Sequence, residues 1–427
     1  MDYAGAVDYL NSFKSQGIKP RIEHTKLILD ELGFDYEGVV VHVAGTNGKG
    51  SVSAMMERVL RGQDMNTGLY VSPELMDFTD RVFVSGRPIG RKRLAALTSE
   101  VVDFVDGMKY SSGSPTFFEI TTAVCLKHLE ESGVEVMVLE VGMGGRLDST
   151  NAVPGSLSVV TNVDFDHMEY LGQALSDIAR EKSGILSDNT CLVTAESKQE
   201  PLDVLKAVCA EKNSRLVRVG VDVKYKDLGI VDYAQNALVD ARNSYNLTLK
   251  LLGGHQVVNA ATAIAALEEL DSSGIEVNVD DTEVGLSKVV WPGRMEVVRK
   301  RPLTVLDGAH NPSGFDSLLK TMESFEYDRL FTVLGFTRTK DYMDMIPRIA
   351  GMSEMVLAVE SGYAGALDAG VISREAGKYT NSKAFPSVKS ALVEALRLAG
   401  RGDMVLVAGS IYLVGEARRF WFRECVL

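Results

Sequence analysis

Short apolar runs followed by segments of helical spacing dominate the first two thirds of the chain. The run GVVVHV (38–43) is rich in β-branched residues and predicts a strand. SVSAMMERVLRG (51–62) follows with apolar positions three and four apart, so Ser51 is expected to open a helix. Further strands are predicted at 67–72, 134–142, 156–163 and 190–195, with helical stretches such as 120–133 between them. Such alternation predicts a parallel sheet covered on both faces. The stretch 223–256 breaks the pattern: it is polar and turn-rich, and predicts an antiparallel flap on the edge of the first domain. Alternation resumes after WPGR (291–294), with strands predicted at 303–308, 329–336, 354–360 and 403–410. The boundary falls near 286–292 and divides the chain into domains 1–288 and 289–427.

Composition narrows the function classes. A length of 427 residues suits two or three domains, and 45% apolar residues suffice for substantial cores. The net charge of −13 excludes a chain-wide basic footprint, so no nucleic-acid partner is expected. An acidic protein binds anionic nucleotides through local dipoles and metal ions instead. Cys125, Cys191, Cys209 and Cys425 are far apart, which predicts buried free thiols in a reducing compartment. The first residues, MDYAGAVDYLNSF, lack a basic segment followed by an apolar core, and no run reaches the ~18 apolar residues of a membrane span. A cytoplasmic protein without a membrane partner is expected.

The segment Gly45, Thr46, Asn47, Gly48, Lys49, Gly50, Ser51 carries the clearest chemistry. Glycines let successive N–H groups face a phosphate, and a helix N-terminus adds partial positive charge. Lys49 offers a cation to β- and γ-phosphates, and Ser51 a hydroxyl to phosphate or Mg²⁺. The segment departs from GxxxxGK[ST]: Val43 stands at the first glycine position, and Gly50 follows the lysine. The expected fold class is therefore α/β, with a P-loop-type, mostly parallel N-terminal ATPase domain and a smaller Rossmann-like α/β C-terminal domain.

AGTNGKGS (44–51) resembles the nucleotide loop of the Mur ligase superfamily, and GKGS resembles its folate branch, the folylpolyglutamate and dihydrofolate synthases. TGLYVSPEL (67–75), FFEITTA (117–123), LEVGMGGRLDSTN (139–151), TNVDFDHMEYLG (161–172) and IAREKSGI (178–185) follow in the family's order. So do HQVVNAATA (255–263), WPGRMEV (291–297), LDGAHNP (306–312), TKDY (339–342) and VAGSIYLVGE (407–416). Two positions depart from the family pattern: Glu74 stands where histidine usually follows the serine-proline pair, and Met168 where threonine usually follows the DH motif.

The resemblance implies ATP-dependent joining of L-glutamate to the carboxylate of a folate-type pterin through an acyl phosphate. It implies two Mg²⁺ ions held by Ser72, Glu140 and His167, with Lys182 as a further ligand once carbamylated by CO₂. Glu140 at the end of an apolar strand and His167 after two aspartates suit that role. Asn259 is expected to face adenine, Arg294 to hold phosphate and Asp307 the ribose or nucleotide. His310 is expected near the incoming glutamate and Lys340 near the transferred phosphate. The pterin is expected at Pro20–Ile22 (with Arg21), Thr116–Glu119 and Leu147–Ser149 (with Asp148). There Phe117 and Phe118 can stack on a flat ring, and Glu119 can accept from its amino-pyrimidine edge. The family likeness also implies a monomer. Two other readings stay open: a sister ligase acting on a non-folate pterin or a UDP-muramyl substrate, and a nucleotide-binding module without catalysis.

Overall fold

The structure, a computed structural model, describes every residue except Ile18, Pro20, Ser112 and Val426, and not the side chains of 109–111. The expected pterin contact Pro20 therefore lies outside the described residues. Eight strands make the first sheet: β1 (Val39–Ala44), β2 (Thr67–Tyr70), β3 (Val82–Val84), β4 (Arg87–Pro88), β5 (Val136–Glu140), β6 (Leu157–Val160), β7 (Cys191–Thr194) and β8 (Arg215–Arg218). Their order is β4-β3-β2-β5-β1-β6-β7-β8, antiparallel at β4-β3-β2 and parallel from β2 onward. The central strands are buried along their whole length, as expected for a parallel sheet packed on both faces. One face packs on helices Lys49–Gly62 and Gly254–Glu269, the other on Arg91–Ser111 and Phe117–Glu131.

The polar stretch forms a separate antiparallel sheet, β9 (Lys224–Val231), β10 (Ala234–Asp240) and β11 (Ser244–Leu249). Alternate residues Ala237, Val239, Tyr245, Leu247 and Leu249 join the core of the first domain. The expected flap is thus present, but its last residues belong to the helix that opens at Gly254.

A second sheet follows: β12 (Glu296–Lys300), β13 (Leu303–Asp307), β14 (Leu330–Leu334), β15 (Met355–Val359), β16 (Asn381–Phe385) and β17 (Met404–Ala408), in the order β12-β13-β17-β14-β15-β16. All its pairings are parallel except β12-β13. Helices cover both faces, so the C-terminal part is a separate α/β domain. Among the described residues no helix is long and apolar enough to cross a membrane. All four cysteines are buried and unpaired.

Candidate active site

Both parallel sheets present the C-terminal ends of their strands to one cleft, the usual ligand position in open α/β sheets. β1 runs into the glycine loop. The helix begins at Lys49, two residues before the expected Ser51, because Gly48 turns the chain with φ 86° and caps it. A side chain at Gly48 would strike Asn259, and one at Gly45 (φ 146°) would strike Thr161, so neither position accepts another residue. The loop is braced from β6: Asn162 O accepts from Thr46 N (2.9 Å) and Asn162 Oδ1 from Asn47 N (3.0 Å). The N–H groups of the helix's first turn have no intrahelical partners, and residues 45–51 line the cleft, an arrangement that can seat phosphate.

Two lysines converge on one loop carbonyl. Lys49 Nζ donates to Gly45 O (3.1 Å) and Thr46 O (3.3 Å), and Lys182 Nζ to Gly45 O (2.9 Å). Burial lowers the pKa of both amines; for Lys182, burial and the nearby Lys49 charge pull it to about 7. The Lys182 amine therefore gives up its proton far more readily than an ordinary lysine. Glu140, at the end of β5, is buried, and burial raises its carboxyl pKa against the pull of Lys49. Its Oε2 accepts from Ser72 N (3.3 Å), at the end of neighbouring β2. His167 lines the same cleft, with φ 52°.

The C-terminal domain closes the cleft through contacts that sequence reasoning missed. Asp166 Oδ1 accepts from Lys340 Nζ (2.7 Å), and its Oδ2 lies 3.4 Å from the Asn311 amide. Burial opposes ionisation of Asp166, yet His167 and Lys340 hold its carboxyl well below the usual range. Asn47 of the loop donates to Ser313 Oγ (2.8 Å) and accepts from Asn311 Nδ2 (3.0 Å). Asn311 also caps the helix Pro312–Met322, with Oδ1 accepting from Gly314 N. An Asn-Pro pair opening a helix was the available signal. Burial, with Lys340 nearby, pushes His310 to about 4. Its Nδ1 lies 2.8 Å from Gly308 O, so Nδ1 carries the proton and Nε2 is left as an acceptor. Asp307 is buried and accepts from Met295 N and Ala309 N, both 2.8 Å.

These groups line a cavity of about 390 Å³ that contains residues 45–51, Ser72, His167, Lys182, Asn259, Arg294, Asp307 and His310. Glu140 lies behind Ser72, and Lys340 reaches the site through Asp166. Among the described residues no three His, Cys, Asp or Glu side chains converge to hold a metal by themselves. The Ser72 hydroxyl and Glu140 carboxylate are hard oxygen donors that suit Mg²⁺ when phosphate oxygens and water complete its shell.

A second cavity of about 430 Å³ adjoins the first, and Ser72, Pro73, Gly142–Gly144 and His167 line both. Its walls include Arg21, Thr116, Phe117, Phe118, Leu147, Asp148 and Ser149, all expected there. Phe118 packs so closely on Gly142 that a side chain there would enter its ring. Asp148 accepts from Met143 N (2.9 Å) and from Thr150, and so braces the loop.

Glu119 takes a place other than the expected one. Glu119 does not line the cavity: it accepts from Thr116 N (2.7 Å) while Thr116 Oγ1 accepts from Glu119 N (3.2 Å), a capping box that starts the helix Phe117–Glu131. Its carboxylate also takes Arg21 Nε (3.0 Å), and the side chain is buried behind the cavity wall. Glu119 holds Arg21 in the cavity wall instead. Of the two departures, Glu74 lines this cavity and Met168 lines neither.

Comparison with known proteins agrees with this architecture. The Mur ligase middle domain matches residues 43–267, and the Mur ligase glutamate ligase domain matches 293–411. The chain is 34% identical over 440 residues to a probable bifunctional folylpolyglutamate synthase/dihydropteroate synthase of Haloferax volcanii, covering 100% of this chain and 51% of that protein. It thus spans about half the length of that relative and of a similar Halobacterium salinarum protein. It is 32% identical to the dihydrofolate synthase/folylpolyglutamate synthase of Escherichia coli, over 97% of this chain and 94% of that one. The structure of E. coli FolC in complex with DHPP and ADP superposes with a TM-score of 0.87 and 30% identity, over 98% of this chain and 97% of the other. With both Mur ligase domains in order and relatives matched almost end to end, the chain belongs to the dihydrofolate synthase/folylpolyglutamate synthase family.

Proposed function

We propose that the chain is an ADP-forming ligase that joins L-glutamate to the carboxylate of a folate-type pterin, dihydropteroate or a tetrahydrofolate glutamate, through an acyl phosphate. One observation carries the reading. The phosphate loop's cavity and the aromatic cavity share Ser72, Gly142–Gly144 and His167, so a terminal phosphate and an acceptor carboxylate can meet at that seam. The relatives bearing the synthase names, and the FolC complex with DHPP and ADP, support the same assignment. By family likeness the enzyme is a cytoplasmic monomer acting on small molecules, with domains 1–288 and 289–427 closing on each other.

In this reading residues 46–51 cradle the nucleotide phosphates and Lys49 balances their charge. Asn259 borders the adenine, Arg294 meets phosphate, and Asp307 fixes the turn that presents the nucleotide to the C-terminal domain. Ser72 would hold one magnesium ion, and Glu140, His167 and carbamylated Lys182 a second; bound magnesium would supply charge neutralisation at the phosphates. The low pKa of Lys182 supports carbamylation, since only a neutral amine adds CO₂. An acceptor carboxylate oxygen attacks the γ-phosphorus and ADP leaves; the amine of glutamate then attacks the acyl carbon and phosphate leaves. Neutral His310, with Nε2 free, can take the proton that the amine sheds. Lys340, held by Asp166, steadies the transferred phosphate.

ADP release measured with purified protein tests the proposal. Release should require ATP, glutamate and a pterin acid together, with dihydropteroate and tetrahydrofolate supplied in turn. Release indifferent to every pterin acid contradicts it.

A further inference from the structure

The aromatic cavity contains charges that the reaction above does not use. Glu74, two residues beyond Ser72, forms an ion pair with Arg81 inside the cavity wall, where the two side chains are 21% and 5% exposed. The Arg81 guanidinium lies over the rings of Phe117 (5.0 Å) and Phe78 (5.3 Å), so its place is fixed. Its buried Nε and Nη1 have no hydrogen-bond partner. Lys14 Nζ lies over Phe117 as well (4.9 Å), and feels Glu74 as a favourable charge and Arg81 as an unfavourable one. The other acids of this cavity are engaged elsewhere: Asp148 holds its own loop and Glu181 pairs with Arg146. Of the four cations in this wall, Arg21 is held by Glu119 and Lys19 reaches Gln16, so Glu74 is the carboxylate that faces Arg81 and Lys14.

The geometry points to Glu74 as a specificity-determining residue that sets how well the acceptor site tolerates a second carboxylate beside the reacting one. This rests on the proposed ligase reading. A pterin acid of the pteroate type brings one carboxylate to the seam at Ser72. A glutamylated acceptor brings its reacting γ-carboxylate and an α-carboxylate four bonds away. That extra anion enters a wall where Glu74 already occupies the positive charge of Arg81 and offsets that of Lys14, so less of it is left to receive the anion. A partly desolvated site weights such charges far more than water does. The wild-type cavity thus favours the acceptor with a single carboxylate. Removing the Glu74 charge frees Arg81 and Lys14 to receive the second one.

The test measures kcat/KM for dihydropteroate and for a tetrahydrofolate monoglutamate in wild type, Glu74→Gln, Glu74→Asp and Arg81→Gln. Glu74→Gln should raise the ratio of glutamylated to non-glutamylated acceptor at least fivefold, chiefly through KM, while Glu74→Asp stays near wild type. Arg81→Gln leaves the carboxylate uncompensated and should lower the ratio at least fivefold; it carries the test if Glu74→Gln does not fold. A ratio within twofold of wild type in whichever of the two charge-removing variants folds, or the same change in Glu74→Asp, overturns the inference while the ligase reading stands. Absence of turnover by wild type with either acceptor overturns both.

Discussion

Lys49 and Lys182 share the carbonyl of Gly45, and burial destabilises the charge of each. A phosphate delivered to the loop relieves that situation by supplying the missing negative charge. Lys49→Ala should therefore leave the circular dichroism spectrum native and lower kcat by about 10²–10³, the scale of losing one preorganised electrostatic contact at a transition state. Near-normal turnover in a folded variant contradicts the phosphate assignment. Glu140→Gln and His167→Ala should each raise the magnesium concentration needed for half-maximal ADP release; unchanged magnesium titrations in both remove these residues from the metal site. Which side chains face the cleft was largely readable, because strand ends and the glycine loop announce themselves. The capping role of Glu119 was not read because its T-x-x-E box lies in the same segment as the aromatic pair. Asp166 was noticed only as a neighbour of His167, since its partners Lys340 and Asn311 lie 174 and 145 residues away in sequence.

At the scale of elements, the buried parallel strands declared themselves, while the edge strands and the short antiparallel β3 did not. β8, β12 and β16 lie at sheet edges and are partly exposed, so they lack the continuous apolar run that marks β1 or β17. The contact between the loop after β6 and the C-terminal domain depends on an ionised Asp166. Its folded pKa is depressed, so its stabilising contribution is complete above the unfolded value of about 3.9 and is lost as pH falls below it. Asp166→Asn should cost about 2 kcal/mol at pH 7, on the order of a charged hydrogen bond. Urea unfolding of both proteins at pH 7 and at pH 3 checks this: the difference should shrink at the lower pH. A difference that is the same at both values contradicts the ion pair's role.

For the whole molecule, the proposed function has two α/β domains bring a nucleotide and an acceptor carboxylate to one seam, where phosphorylation precedes amide formation. The phosphate loop belongs to one domain and the residues that close on it, Asn311, Ser313 and Lys340, to the other. Chemistry should therefore require the closed arrangement. The identity of the chemistry is tested most directly by isotope transfer. The acceptor pterin acid is labelled with oxygen-18 in its reacting carboxylate and turned over with ATP and glutamate to complete amide formation. The released phosphate is then analysed by mass. An acyl phosphate passes one carboxylate oxygen to phosphorus, so one labelled oxygen should appear in each phosphate released. Unlabelled phosphate beside fully formed amide contradicts the mechanism.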